Sequence, residues 1–269
     1  MKYEPIKHSV GKVFNKNPLL RKLLYHLLDL LLLRAWHIRR EIKKIGSVIP
    51  GSSYILDAGA GFGQYSYFIA RRSKKYKILG VEINPIQVDD NNAFFKSIGK
   101  AEQVKFSAAD LTTFKNKEAF DFILTVDVME HILEDEEVFK NFYYSIKPGG
   151  ILLISTPSDK GGSDAQDEHD ESFIGEHVRN GYNINDIQQK LRKAGFSGTE
   201  AKYTYGKPGQ ISWKLSMKYP ISLLNIHKMF FVLLPFYFII AYPFSYVLNF
   251  FDLYGSHKTG TGLMVKAWK

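Results

Sequence analysis

Apolar positions along this chain alternate between two rhythms. Short apolar runs of the buried-strand type occur at Tyr54–Asp57, Lys77–Glu82, Val104–Ala109, Phe120–Val126 and Ile151–Ser155. Between them lie helical patterns. One follows the turn holding Gly59, Gly61 and Gly63, one opens at Asn84-Pro85 and closes at Gly99, and one starts in the acidic run Glu134–Glu137 and reaches Ile146. Strand and helix in alternation predict a parallel α/β sheet. A polar stretch over 156–182 interrupts the rhythm, and a loop of that length inside a domain is a functional feature or a disordered one. The pattern resumes with a helix Ile184–Ala194 ended by Gly195, a strand around Ala201–Tyr205 and a last strand Gly262–Trp268.

Two segments do not follow this rhythm. A helix is expected from Pro18 to Ile45, with Asn17 as N-cap and Pro18 at its first position. Leu20, Leu23, Leu24, Leu27, Leu28 and Leu31 share its face, and Leu30, Leu32 and Leu33 widen that stripe beyond one packing surface. The second segment is residues 206–260, where Met229–Phe251 runs for 23 residues without a charge. By length it suits a ~30 Å hydrocarbon core. A single crossing, however, would strand Gly262–Trp268 on the far side from its sheet, and Pro235 and Pro243 are expected to break or kink a continuous helix. Kinked helices in the membrane interface, or an apolar lid over the site, are therefore expected, with a homodimer contact as the alternative use of that surface.

The glycine turn carries the chemistry. Glycines at alternate positions permit positive φ and close approach of a ligand, which meets the N–H groups opening the next helix. The spacing Asp57-x-Gly59-x-Gly61-x-Gly63 differs from the dinucleotide fingerprint. It resembles the D/E-x-G-x-G-x-G motif of the class I S-adenosylmethionine-dependent methyltransferases. An acid, Glu82, ends the second strand 19 residues after Gly63, Asp110 follows the third strand, and Lys147-Pro-Gly-Gly150 precedes the fifth. Residues 51–205 and 261–269 carry the resemblance. It implies a Rossmann-like, seven-stranded, mostly parallel sheet with an antiparallel last strand, to which this chain's own pattern adds an N-terminal helical extension over 1–50 and an apolar helical insertion over 206–260. It also implies S-adenosyl-L-methionine as cofactor, held by Asp57, Ala58, Gly59, Gly61, Gly63, Gln64, Glu82, Ile83, Asp110, Leu111 and Asp127. Glu82 is placed like the ribose acceptor, and Asp110 like the acceptor of the adenine amino group.

Charge and composition refine this. The chain has 269 residues, 45% hydrophobic and 14% aromatic, enough for a full α/β core. It contains no cysteine, which excludes disulfides, thiolate nucleophiles and Cys-ligated zinc. The net charge of +9 is uneven: residues 1–50 hold 11 Lys/Arg against 3 Asp/Glu, residues 51–212 hold 19 against 23, and residues 213–269 hold 6 against 1. Basic, apolar flanks around an acidic core fit an anionic lipid surface better than an RNA groove, which would interleave aromatic and basic side chains. No signal peptide is evident, and a cytoplasmic, peripheral membrane location is expected.

For catalysis, His131 just past the fourth strand and the trio His177, Arg179 and Tyr182 are the candidate base, substrate contact and anion clamp. His26, His37, His227 and His257 are read as surface or interfacial residues. Asp127, Glu130 and His131 also resemble the D/E-x-x-E-H magnesium pattern of ubiquinone-pathway and small-RNA methyltransferases, although no metal is expected here. The acceptor expected is a hydrophobic, lipid-like or aromatic small molecule, methylated on a hydroxyl. An RNA acceptor, or a catalytically silent scaffold, is the alternative.

Overall fold

The computed structural model describes residues 17–161 and 178–269. Seven strands form one sheet: β1 (Tyr54–Ala58), β2 (Lys77–Glu82), β3 (Val104–Ala108), β4 (Phe120–Val126), β5 (Ile146–Pro157), β6 (Gly198–Thr204) and β7 (Gly262–Trp268). Their order is β3-β2-β1-β4-β5-β7-β6. Strands β1 to β5 pair in parallel, and β7 enters antiparallel between β5 and β6. This is the Rossmann-like sheet that the strand pattern and the motifs imply. β5 starts earlier than the apolar run at Ile151 suggests. Ile146 already pairs with Phe120, and the register shifts before Ile151 meets Phe122.

Alternation along each strand feeds two cores. Ile55, Phe122, Leu124 and Leu153 face a layer containing Ile42, Phe68, Phe95 and Phe106. Leu56, Ile123, Leu152 and Val265 face Val138, Phe142, Ile187 and Leu191. The first layer holds α1 (Pro18–Leu31), α2 (Leu33–Ile45), α3 (Gln64–Ala70) and α4 (Pro85–Ser97), and the second holds α5 (Asp135–Ser145) and α6 (Ile184–Ala194). Asn17 caps α1 by accepting from the Leu19 N–H.

The single helix expected over Pro18–Ile45 is two helices. Leu32 is extended (φ −94°, ψ 109°) and separates α1 from α2. The break re-aims the chain: α1 buries Arg21 and Tyr25 and leaves most of its leucines outward, whereas α2 buries Leu33, Ala35, Ile38 and Ile42. Across the break Leu33 is buried while Leu30 stays exposed.

The insertion departs from β6 and returns to β7. It contains α7 (Lys207–Trp213), a π-turn Lys214–Lys218, α8 (Tyr219–Ile226), a 3-10 turn Lys228–Val232 and α9 (Leu234–Tyr254). The expected break at the prolines does not occur. Pro235 sits in the first turn of α9, where its missing N–H has no helical partner to lose, and the helix runs on through Pro243. By length and composition α9 is apolar enough to cross a membrane. One face, however, buries Ala241, Ser245, Asn249 and Asp252 against the protein.

Candidate active site

The strand order reverses between β1 and β4, and an open α/β sheet binds its ligand in the crevice at such a point. The glycine turn lies there. Gly59, Gly61 and Gly63 all take positive φ (72°, 49° and 73°). A Cβ on Gly59 would meet Val128 Cγ2 at 2.2 Å, whereas nothing lies within 4 Å of the Cβ position on Gly61. The first glycine thus lets the turn pass close to the segment after β4, and the second leaves open space. Gly59 and Ala60 donate to the Val81 carbonyl, and Gly61 donates to Glu82 Oε2 at 3.0 Å.

The candidate cofactor residues gather along this carboxyl edge. Glu82 ends β2, and Ile83 beside it is 70% exposed. An apolar side chain so open at a binding edge suits a flat aromatic ring. Asp110 follows β3, exposed, and accepts from the N–H and hydroxyl of Thr112. Leu111 is buried beneath it, and Ala58 is buried at the end of β1. Gln64 opens α3 and donates to Asp29 at 2.8 Å. The open space at Gly61, the acid at the end of β2 and the exposed Ile83 fit an adenosyl group.

Asp57 takes a different place. It is 2% exposed, and Oδ2 accepts both the N–H (3.1 Å) and the hydroxyl (2.6 Å) of Ser66, which pins β1 to α3 from inside. Burial pushes its pKa from 3.8 up to about 6 against the pull of Ser66. A raised folded-state value means that stability from this group is full below about pH 4 and is lost as pH rises through 6. The full effect is about 3 kcal/mol. Asp57→Asn removes that titration. In urea unfolding, the variant is expected to gain about 1–3 kcal/mol on wild type between pH 4 and pH 7.5. A difference independent of pH would show that Asp57 ionises as freely in the fold as outside it.

The segment after β4 forms the other wall. Asp127 has φ +50° and forms an ion pair with Arg34 of α2. A 3-10 turn, Met129–His131, follows. Glu130 is buried, accepts from the Thr156 hydroxyl at 3.1 Å, and is pushed up in pKa by burial. His131 is partly exposed at the end of the turn. Asp127, Glu130 and His131 do not converge: among the described residues no group of three such side chains could hold a metal ion.

Arg179 and Tyr182 occupy a position unlike the clamp expected of them. Arg179 is paired with Asp135 and donates to the carbonyls of Ile132 and Leu133 and to Tyr182 Oη. The buried Tyr182 hydroxyl lies 2.7 Å from Asp135 and 3.1 Å from the Met129 carbonyl. Burial and the neighbouring carboxylate push its pKa up, away from use as a base. With these groups already engaged, the pair's place is to hold the Met129–His131 turn from behind. His177 lies outside the described residues.

Sequence reasoning missed the roof. Arg21 of α1 donates to the Phe62 carbonyl at 2.8 Å and pairs with Asn91, and Tyr25 also bonds the Phe62 carbonyl. Asn91 in turn donates to the Gly61 carbonyl at 2.8 Å. The signal was there: Arg21, Tyr25 and Asp29 recur every fourth residue, a polar stripe opposite the leucines. His37 and His257 are also corrected. Both contact Asp252 in the interior, whereas His26 and His227 are exposed.

The carboxyl-edge cradle and the strand order define a class I S-adenosylmethionine-dependent methyltransferase fold. A methyltransferase-domain family model matches residues 30–201, and the chain belongs to that family. It is 30% identical over 152 residues to phosphoethanolamine N-methyltransferase 1 of Triticum aestivum, covering 55% of this chain and 29% of that one. It is 30% identical over 149 residues to (S)-coclaurine N-methyltransferase of Papaver somniferum, covering 55% and 39%. The chain thus spans well under half the length of these curated relatives. Among solved structures, phosphoethanolamine N-methyltransferase 2 of Haemonchus contortus in complex with S-adenosyl-L-methionine superposes with a TM-score of 0.62 at 17% identity, over 87% of this chain and 52% of that one.

Proposed function

We propose that this protein transfers a methyl group from S-adenosylmethionine to a hydroxyl of a hydrophobic, lipid-like or aromatic small molecule. It does so as a cytoplasmic enzyme lying peripherally on a membrane. The observation that carries the reading is α9. Its inner face is small and polar, while Phe236 and Ile240 on the other side are 66% and 69% exposed. Phe244, Val247 and Phe251 extend that surface, and Leu19, Leu23 and Leu27 of α1 are exposed as well. The ring contact between Trp36 and Tyr246 and the Tyr242 hydroxyl on the Leu30 carbonyl join α9 to the N-terminal helices. Apolar surface on this scale calls for a partner, and the basic flanks complement an anionic leaflet.

The bound cofactor supplies the electrophilic methyl group. The glycine turn and Glu82 hold its adenosyl part, and the Met129–His131 turn brings His131 to the acceptor side. There it takes the hydroxyl proton as a general base, a contribution of roughly 10²–10⁴-fold. The relatives named phosphoethanolamine N-methyltransferase favour an amine as the second reading. A neutral amine attacks through its own lone pair, so at a pH above the acceptor amine's pKa His131→Ala would slow hydroxyl methylation and spare an amine.

Vesicles of phosphatidylcholine with phosphatidylglycerol test the membrane part. Phe236→Glu combined with Ile240→Glu is expected to lower the vesicle partition coefficient by about three orders of magnitude, from two buried apolar side chains at about 2 kcal/mol each. Unchanged sedimentation of the double variant, with a dimer in solution, would transfer this surface to a second copy of the chain. Mass spectrometry of lipid extracts after incubation with methyl-labelled cofactor identifies the acceptor.

A further inference from the structure

The outer surface of α9 changes character along its length. Over its first two turns the exposed side chains are hydrocarbon, Phe236, Ile239 and Ile240 among them, and the turn before it adds Phe231 and Val232. Further along, Tyr242, Tyr246 and Tyr254 appear. Trp36 lies against Tyr246 with ring centroids 5.0 Å apart, and Tyr242 lies 6.2 Å from Tyr246. Trp36 Nε1 and the Tyr242 hydroxyl both donate to the Leu30 carbonyl, at 3.3 Å and 3.1 Å, so the three rings form a collar at the break between α1 and α2. Hydrocarbon side chains suit acyl chains, whereas Trp and Tyr gather at the level of the headgroups.

The polar groups of the insertion turn the other way. The Tyr237 hydroxyl donates to the Leu215 carbonyl at 2.7 Å, the Ser212 hydroxyl donates to the Ser245 carbonyl at 3.1 Å, and Ser216 and Asn249 are buried. A helix lying flat in an interface keeps a polar face in water. Every exposed residue of α9 is apolar or aromatic. From Phe236 to Tyr246 the helix rises about 15 Å, which matches half of a ~30 Å hydrocarbon core. Six Lys/Arg against one Asp/Glu over residues 213–269 favour an anionic leaflet over a second copy carrying the same charge.

We propose that α9 dips into one leaflet at a tilt, its N-terminal half among the acyl chains and the collar of Trp36, Tyr242 and Tyr246 at the headgroups. The proposal rests on the membrane reading of this surface and adds its depth, its direction and the acceptor's class. Trp36 shares the first turn of α2 with Arg34, which pairs with Asp127 at the end of β4. The crevice therefore opens at headgroup level. An amphiphile lodged in the same leaflet presents its hydroxyl there and enters sideways from the lipid without crossing water.

The chain contains no cysteine, so single introduced cysteines carry a fluorophore at chosen depths. Labels at Phe236→Cys and Tyr246→Cys, with Lys105→Cys on β3 at the far edge of the sheet as control, are read in phosphatidylcholine–phosphatidylglycerol vesicles. The lipid carries a nitroxide either near the headgroup or near the end of the acyl chain. The Phe236 label is expected to be quenched about twofold more by the deep nitroxide, the Tyr246 label about twofold more by the shallow one, and the Lys105 label by neither. Equal, shallow quenching at both α9 positions overturns the tilt and leaves membrane contact intact. No quenching at either removes the membrane reading, and this proposal with it. The acceptor class is read separately, with methyl-labelled cofactor, the wild-type enzyme, and vesicles of total lipid mixed with the water-soluble extract of the same cells. Label is expected in the lipid. Label confined to the water-soluble fraction, or in neither fraction, overturns the membrane-resident acceptor.

Discussion

Asp252→Ala is expected to cost the fold about 3–5 kcal/mol, because it leaves several buried hydrogen-bond donors without their acceptor. Asp252 is 0% exposed. Its carboxylate accepts from His37 Nε2 at 2.8 Å, the Gly209 N–H at 3.0 Å and the Tyr205 N–H at 3.2 Å, and His257 Nε2 stands 3.3 Å away. Burial alone would raise its pKa, but the hydrogen bond and charge of His37, with His257 and the Gly209 N–H, hold it below the ordinary 3.8. A depressed carboxylate value gives stability that is present above the unfolded pKa and lost as pH falls through the folded one. At neutral pH the alanine variant forfeits all of it and leaves two backbone donors and an imidazole buried without an acceptor. In a thermal melt that is a drop of about 10 °C. Asp252→Asn, which keeps the shape and one acceptor, is expected to lose roughly half as much. An alanine variant melting within about 2 °C of wild type would mean that the cluster contributes nothing measurable.

Glu82→Ala is expected to weaken S-adenosylhomocysteine binding about 100-fold. The residue is expected to accept the ribose hydroxyls, and it also holds the glycine turn through the Gly61 N–H at 3.0 Å and the helix start through the Asn84 N–H at 3.2 Å. Two charge-assisted hydrogen bonds at about 1.5 kcal/mol each make up that factor. 5′-Methylthioadenosine keeps the same ribose without the amino-acid end, so it should lose as much affinity as S-adenosylhomocysteine. A change below about threefold in calorimetry would take Glu82 out of the site.

The parallel half of this fold was legible because its signals are local. Apolar runs such as Phe120–Val126 and the glycines after β1 mark strands and turn without reference to anything distant. The two halves of the N-terminal helix were not separable in the same way. Neither glycine nor proline sits at Leu32, and the break follows from which side chains the sheet layer has room to bury. The roof was concealed for a related reason. Arg21 and Tyr25 look like interruptions of a leucine helix until their partner, the Phe62 carbonyl, is brought over them by the fold. Long-range pairing also hid the place of His37 and His257, since Asp252 is 215 residues from His37 in sequence. At the site, the acid at the end of β2 and the exposed Asp110 could be placed by spacing. That Asp57 bonds Ser66 inside the protein depends on which way a strand residue points.

Thr204 lies opposite Gly262 across the β6–β7 ladder. Everything between them leaves and rejoins the sheet at one doorway. Such an excursion can lengthen, shrink or be exchanged wholesale at small entropic penalty, each doubling of length adding only about 0.6 kcal/mol, while the nucleoside-facing strands stay untouched. Lineages that carry different excursions on the same doorway would then differ in what they methylate and agree in how they hold the donor. Transplanting the segment between two of them becomes a direct route to changing acceptor range without rebuilding the catalyst.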